Sequence, residues 1–144
     1  MQLQLIRNAT MKITYAGHTL LTDPMLSPKD AFDGFAGIAR NPTVDLPLGV
    51  EEILDGVEAV VVSHTHPDHL DPVATSAIPK ELTLFCQPGD AVKLTGHGFH
   101  RVTAIESHFH WKGLTLTRTG GAHGRGEMLK HMGPVSGFIL QAEE

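Results

Sequence analysis

Apolar and polar residues alternate through the opening stretches "LQLIRN", "MKITYAG" and "HTLLTDP". A period of two is the mark of a strand with one buried face, so a pair or trio of short antiparallel strands is predicted, turning at Gly17 and ending at Asp23-Pro24. From there the pattern is lost. Pro24, Pro28, Gly34, Gly37, Pro42 and Pro47 punctuate residues 24–47, which reads as one long irregular segment. An insert of that length in a compact domain usually borders a functional site or moves.

"GVEEILDGV" is expected to form a short helix, with Val50, Ile53 and Leu54 on one face and acidic residues at its start. "EAVVVSH" is continuously apolar, as a strand covered on both faces must be. "DPVATSAI" carries a helix start, Asp71 as N-cap and Pro72 at the first helical position. "LTLFCQ" is a second buried strand, and "PGDAVKLTG" a short helix stopped by Gly96. "RVTAIESHFHWKGLTLTRTGGAHG" gives two alternating runs joined at Lys112-Gly113, a hairpin-type connection, and "VSGFILQAEE" one more strand. The order is mixed α/β with layered sheet and helix.

With 144 residues, 41% hydrophobic and 19% charged, the chain has the length and balance of one globular domain over 1–144. The net charge of −5 and singly scattered lysines (Lys29, Lys80, Lys93, Lys112, Lys130) argue against nucleic acid as a partner. One cysteine, Cys86, excludes an internal disulfide and suits a reducing, cytoplasmic setting. No stretch has the pattern of a signal peptide or of a membrane span.

The chemistry is concentrated in "VVVSHTHPDHLD", where His64, His66, Asp68, His69 and Asp71 follow directly on the buried strand. The carboxyl end of such a strand is where α/β proteins commonly hold ligands. His64 and His66 are two apart, so an extended backbone points both imidazoles to one side. That arrangement suits chelation of one metal ion, at roughly 2.0 to 2.1 Å for zinc. Pro67 bends the chain, and Asp68 and His69 can then address a second ion, leaving Asp71 to cap the next helix. A lone histidine is more often a packed or surface residue than a ligand, but three interleaved with an aspartate are not readily explained that way.

"HTHPDHLD" resembles the H-x-H-x-D-H signature of the metallo-β-lactamase fold superfamily. "GHTLLTDPML" upstream is similar to the strand that leads to an aspartate behind the metal loop, here Asp23. "TRTGGAHGRG" downstream is similar to the segment holding the third metal-binding histidine, here His123. The wording of "LLTDP" and "GGAHGRG" is similar to the branch containing ascorbate-phosphate lactonases and phosphodiester-cleaving phospholipase D enzymes. The resemblance implies an αββα sandwich of which this chain matches the first half. It also implies that His64, His66 and His123 hold one metal, that Asp68 and His69 contribute to a second, and that Asp23 orients the loop from behind. The implied activity is that of a metallo-hydrolase whose metal-bound hydroxide attacks a small-molecule lactone, ester or phosphodiester, with Asp68 taking up a proton. Zinc is the first expectation for the divalent cofactor, one or two ions, and imidazole with carboxylate also suits manganese or iron.

The family's complete site has a later bridging aspartate and a final histidine. Asp90 is the last aspartate here, and only His131 follows His123. Two divalent ions among four neutral imidazoles and Asp68 would leave about +3 of formal charge, so one tight ion and one weak are expected. Half a sandwich also leaves strand edges and an apolar face to cover. A homo-oligomer or a partner chain supplying the missing half is therefore expected. The alternative to an enzyme is a non-catalytic metal-binding half-domain, inactive alone or completed by another chain. A histidine-rich metal store or sensor is a third reading, but it leaves Asp23 and the motif order unexplained.

His108 and His110 form a second H-x-H that reads as a polar strand face opposite Ile105, Phe109 and Trp111. His97 and His100 read as surface residues, His18 is a candidate for the mouth of the site, and Arg125 a candidate anion contact. "TGGAHGRG" lacks the ending of a phosphate loop, and neither a nucleophile elbow nor a base for Cys86 is present.

Overall fold

The computed structural model describes residues 1–34 and 37–142. Strands β1 (Gln2–Arg7), β2 (Thr10–Tyr15) and β3 (His18–Thr22) form the expected antiparallel meander. β4 (Ala59–Val62), β5 (Thr83–Cys86) and β6 (Arg101–Ala104) then add in parallel, giving one six-stranded sheet in sequence order. A second, antiparallel sheet has the order β7 (His108–Trp111), β8 (Leu114–Thr119), β9 (Gly137–Ala142). Helices α1 (Val50–Leu54), α2 (Pro72–Ala77) and α3 (Ala91–Gly96) join the parallel strands. As expected of parallel strands joined by crossovers, β4 is buried along its whole length.

The large sheet separates two cores. On one face Leu21, Val60, Val62, Leu84 and Cys86 pack with Ile53, Ala74 and Leu94 of the three helices. On the other, Leu20, Ala59, Val61 and Phe85 meet Leu114 and Leu116 of β8. Successive residues of β4 therefore feed opposite cores, as the period of two requires. Helix, sheet, sheet are three of the four layers of the expected αββα sandwich; the second helix layer has no counterpart among the described residues.

Two features depart from the pattern-based reading. The run "RVTAIESHFHW" is not one strand: it leaves the large sheet after β6 and enters the small one at β7. Buried Ile105 plugs the crossing. There the Arg118 guanidinium donates two hydrogen bonds to the Glu106 carbonyl, and the Arg118 N–H donates to Ser107 O. The apolar positions change phase there, from Val102 and Ala104 to Ile105, Phe109 and Trp111 with Glu106, Ser107 and His108 between, so the bend coincides with a break in the alternation. The other departure is α4 (Glu127–Met132), a short exposed helix with no buried residue, whose Met128, Leu129 and Met132 belong to neither core.

Residues 24–34 and 37–49 are irregular, as their prolines and glycines foretell, but they are tied down. Arg7, only 5% exposed, donates to the carbonyls of Val44, Met25 and Ser27 at 3.0, 2.8 and 2.7 Å. Burial lowers its pKa from the usual arginine value, against the opposing fields of Asp71 and Asp45. Asp71 caps α2 through Ala74 N–H at 2.7 Å and takes the Ser27 N–H at 2.6 Å with its other oxygen. Among the described residues no helix is long and apolar enough to cross a membrane.

Candidate metal centre

Because β3, β4, β5 and β6 run in parallel, their carboxyl ends share one edge of the sheet. Asp23 follows β3, Ser63 and His64 follow β4, and Gln87 follows β5. Asp23 has φ +40, a left-handed conformation that aspartate tolerates better than most side chains. Its N–H bonds Val61 O at 3.0 Å, so the residue stays attached to β4 as the chain turns. Its carboxylate accepts from the Ser63 N–H at 2.7 Å, the Ser63 hydroxyl at 2.7 Å and His69 Nδ1 at 2.9 Å.

These bonds decide tautomers. The only Ser63 hydroxyl proton goes to Asp23, so at 2.9 Å from His64 Nδ1 the oxygen acts as acceptor, and Nδ1 carries the hydrogen. Nε2 of His64 is then a bare lone pair, buried and without a hydrogen-bond partner. His69 likewise gives its Nδ1 hydrogen to Asp23, freeing Nε2 as a donor atom toward a ligand. Histidines that ligate metals are held in this way, the second ring nitrogen engaged by an oxygen.

His64, His66 and His123 offer ligand atoms within 4.8 Å of one another, and so do His64, Asp68 and His69. The His64 ring centroid lies 4.6 Å from that of His66, 4.0 Å from His69 and 4.7 Å from His123. Nδ1 of His123 is also buried without a hydrogen-bond partner. An unpaired buried polar atom costs free energy; here two ring nitrogens of that kind sit among clustered imidazoles with a carboxylate alongside, a donor set that fits a divalent cation. Burial, together with the positive fields of His69, His66 and His123, pushes the His64 pKa down to about 4, so the ring is neutral at neutral pH. Burial also opposes charge on His69, but its bond to Asp23 and the fields of Asp23 and Asp68 outweigh that, and its pKa is raised.

His123 reaches the cluster from the second sheet. The β8–β9 ladder ends at Thr119↔Gly137 and the chains touch again at Ala122↔Pro134. Between these points a Cβ on Gly121 would lie 2.9 Å from Val135 O, so the close approach requires glycine. The sequence reading therefore named the clustered residues and Asp23, while it passed over Ser63, whose only signal is its place immediately before His64. It also passed over Asn8, which donates to the Asp68 carbonyl at 2.8 Å from the β1–β2 turn.

Other histidines lie elsewhere. His18 is at the opposite end of β3, bonded to Glu58 and against Trp111, so it is not at the mouth of the site; it starts the strand that Asp23 ends. His108 and His110 are exposed on β7 with ring centroids 5.5 Å apart, on the polar face expected for them. His97, His100 and Arg125 are exposed. Cys86 is fully buried and its thiol is pushed up to about 12 by burial and by Asp90, in keeping with a structural role.

Residues 18–144 match the beta-lactamase superfamily domain. The chain belongs to the metallo-β-lactamase superfamily. It is 40% identical, over 98% of its own length, to the UPF0173 protein YddR of Bacillus subtilis, of which it covers 58%. Among solved structures it is similar to "a possible metal-dependent hydrolase" from Veillonella parvula, with 42% identity, TM-score 0.94, and coverage of 98% of this chain and 58% of that one. It is also similar to an isothiocyanate hydrolase from Delia radicum gut bacteria, with 37% identity, TM-score 0.91, and coverage of 99% and 59%. The superfamily chain described here thus spans a little under three fifths of the length of these relatives. The histidine–aspartate cluster is a donor set suited to a divalent metal.

Proposed function

We propose that this chain forms the metal-holding part of a hydrolase, with His64, His66 and His123 around one divalent ion and Asp68 and His69 contributing to a second. The observation that carries the reading is the pair of buried, partnerless nitrogens, His64 Nε2 and His123 Nδ1, within a cluster of imidazoles. Zinc is the expected ion, with manganese or iron suited to the same donors. A bound ion would acidify a water at neutral pH and polarise the bond to be cleaved.

The protein's own contribution is orientation and proton uptake. Asp23 and Ser63 fix the rings, and Asp68, partly exposed beside His69, is placed to accept a proton at its carboxylate. Lactones, other esters and phosphodiesters present electrophilic centres open to attack by water, and the likeness to an isothiocyanate hydrolase adds the isothiocyanate carbon to that class. The wall of the centre beneath Asp23 and Ser63 is a cleft of about 340 Å³ between the sheets, lined by Met11, Ile13, Phe138 and Leu140 and bordered by β9. A further polypeptide, from a second copy, a separate partner or the remainder of a longer chain, would cover it and complete the site. The setting proposed is cytoplasmic.

A second reading is favoured by the single carboxylate of the second ligand group: a metal-binding half-domain that is inactive by itself. The deciding experiment loads the purified chain with zinc and screens chromogenic ester, lactone, phosphodiester and isothiocyanate substrates against His66→Ala. Hydrolysis lost in the variant supports the enzyme. Metal bound without turnover supports the half-domain, and absence of metal binding refutes both.

A further inference from the structure

The trio His64, His66 and His123 is drawn from two sheets, so something must hold the two halves in register before any ion arrives. Gln87, directly after β5 and only 3% exposed, sits between them. Its Nε2 donates to Asp90 Oδ2 at 2.8 Å and to Pro134 O at 2.9 Å, and its Oε1 accepts from the Ser136 hydroxyl at 2.9 Å. Both amide hydrogens are used. A flipped amide would set its oxygen against a carboxylate and a carbonyl, so the network allows one orientation.

Each partner leads to the cluster. Asp90 Oδ1 accepts from the hydroxyl of Thr65, the residue between His64 and His66, at 3.1 Å. Lys93 holds the same Thr65 through its carbonyl and hydroxyl. Pro134 pairs with Ala122, next to His123. The Ser136 N–H donates to Ser63 O at 3.2 Å, joining the second-sheet segment to the start of the histidine loop.

Resting on the metal-centre reading, we infer that Gln87 is the positioning residue of this centre, fixing the His64–His66 loop relative to the His123 segment. Its amide does so through one donor toward each side and one acceptor between them. Buried polar networks that are fully satisfied specify a single arrangement, and this one has no unused amide hydrogen. The residue touches no ligand ring, so its effect is on preorganisation of the site.

The test uses Gln87→Met, which keeps the volume and removes the three bonds, with Ile78→Val as a control that disturbs the helix-side core at the far end of α2. Cobalt(II) is titrated into the metal-free chain and followed by its visible absorption. In parallel, the nuclear Overhauser contact between the His66 and His123 rings, whose centroids lie 4.9 Å apart, is recorded without metal. We expect Gln87→Met to weaken cobalt binding about ten-fold and to abolish the ring contact, the size of effect usual for residues behind metal ligands. Ile78→Val should change neither. If Gln87→Met does not fold, Ser136→Ala removes one of the Gln87 bonds, together with the longer one from Arg118, and should weaken cobalt by about five-fold, the worth of one net hydrogen bond. Wild-type affinity with an intact ring contact overturns the inference, as does absence of that contact in the unaltered chain. If the unaltered chain shows the contact but binds no cobalt, the metal-centre reading falls, and the ring contact alone decides on Gln87.

Discussion

Replacing Asp23 by asparagine isolates what its charge does. Asparagine has nearly the same shape and tolerates the left-handed backbone at this position, so neither packing nor strain changes. One terminal atom can still accept the Ser63 N–H, now at 2.7 Å. The other becomes an NH2 donor facing the Ser63 hydroxyl and His69 Nδ1, which at present both donate to Asp23. The His69 bond to a charged acceptor is worth about 1.5–3 kcal/mol and the serine bond about 1 kcal/mol, so the metal-free chain should lose roughly 2–4 kcal/mol. His69 must also change tautomer. To accept from the new NH2, its Nδ1 gives up its hydrogen, which moves to Nε2, the atom that would bind metal. Affinity for the ion held by His69 should fall about 10- to 100-fold. Long-range proton–nitrogen correlation spectra of the imidazoles read the tautomer directly, and urea unfolding reads the stability. His69 still protonated at Nδ1 in Asp23→Asn, with unfolding unchanged within about 0.5 kcal/mol, would refute the reasoning.

Asp71→Ala removes both the α2 cap and the acceptor of the Ser27 N–H; a loss of about 2–4 kcal/mol is expected in chemical denaturation, with the histidine ring signals unchanged. Zinc titrated calorimetrically into the isolated chain should show one tight site and a second much weaker, because a single carboxylate serves two divalent charges; two equally tight sites would contradict this. Glu58, bonded first of all by Lys112 and also by His18 and Thr19 N–H, has its pKa lowered from 4.5 to about 2. A depressed carboxylate contributes stability that is present above pH 4.5 and lost as pH falls toward 2. The deficit of Glu58→Gln, held to about 1 kcal/mol or less by solvent screening, should therefore be constant from pH 7 to 5 and shrink by pH 3 in urea melts.

Much of this molecule is legible in its residues because local rules and tertiary packing agree. β4 is apolar throughout since it faces two cores, and Asp71-Pro72 begins a helix by chemistry that needs no distant partner. The histidine loop declares itself through spacing alone. What stays hidden depends on contacts far apart in sequence. Arg7 reads as a strand residue in an alternating run, yet it is buried under a loop 18 to 37 positions away. The break between β6 and β7 shows in the residues only as a change of phase, Val102 and Ala104 giving way to Ile105, Phe109 and Trp111, while which sheet each side joins is set by long-range pairing. α4 is six residues long, too short for Met128, Leu129 and Met132 to establish a period, and Gln87 looks like any polar residue ending a strand. His123 was recognisable by resemblance, but its nearness to His64 is a property of how the two sheets dock.

That docking gives the ion a mechanical meaning. Two ligands ride on the large sheet and the third on the extension of the β8–β9 ladder, so a cation shared by all three would act as a rivet through the interface of the two layers. Any ligand that binds only the docked form stabilises it in proportion to the logarithm of one plus its free concentration over Kd, about 2.7 kcal/mol at a hundred times Kd. Loading and layer adhesion then become the same equilibrium viewed from two sides. A supply of metal would set how firmly the small sheet clings, and starvation would loosen the molecule along that seam first.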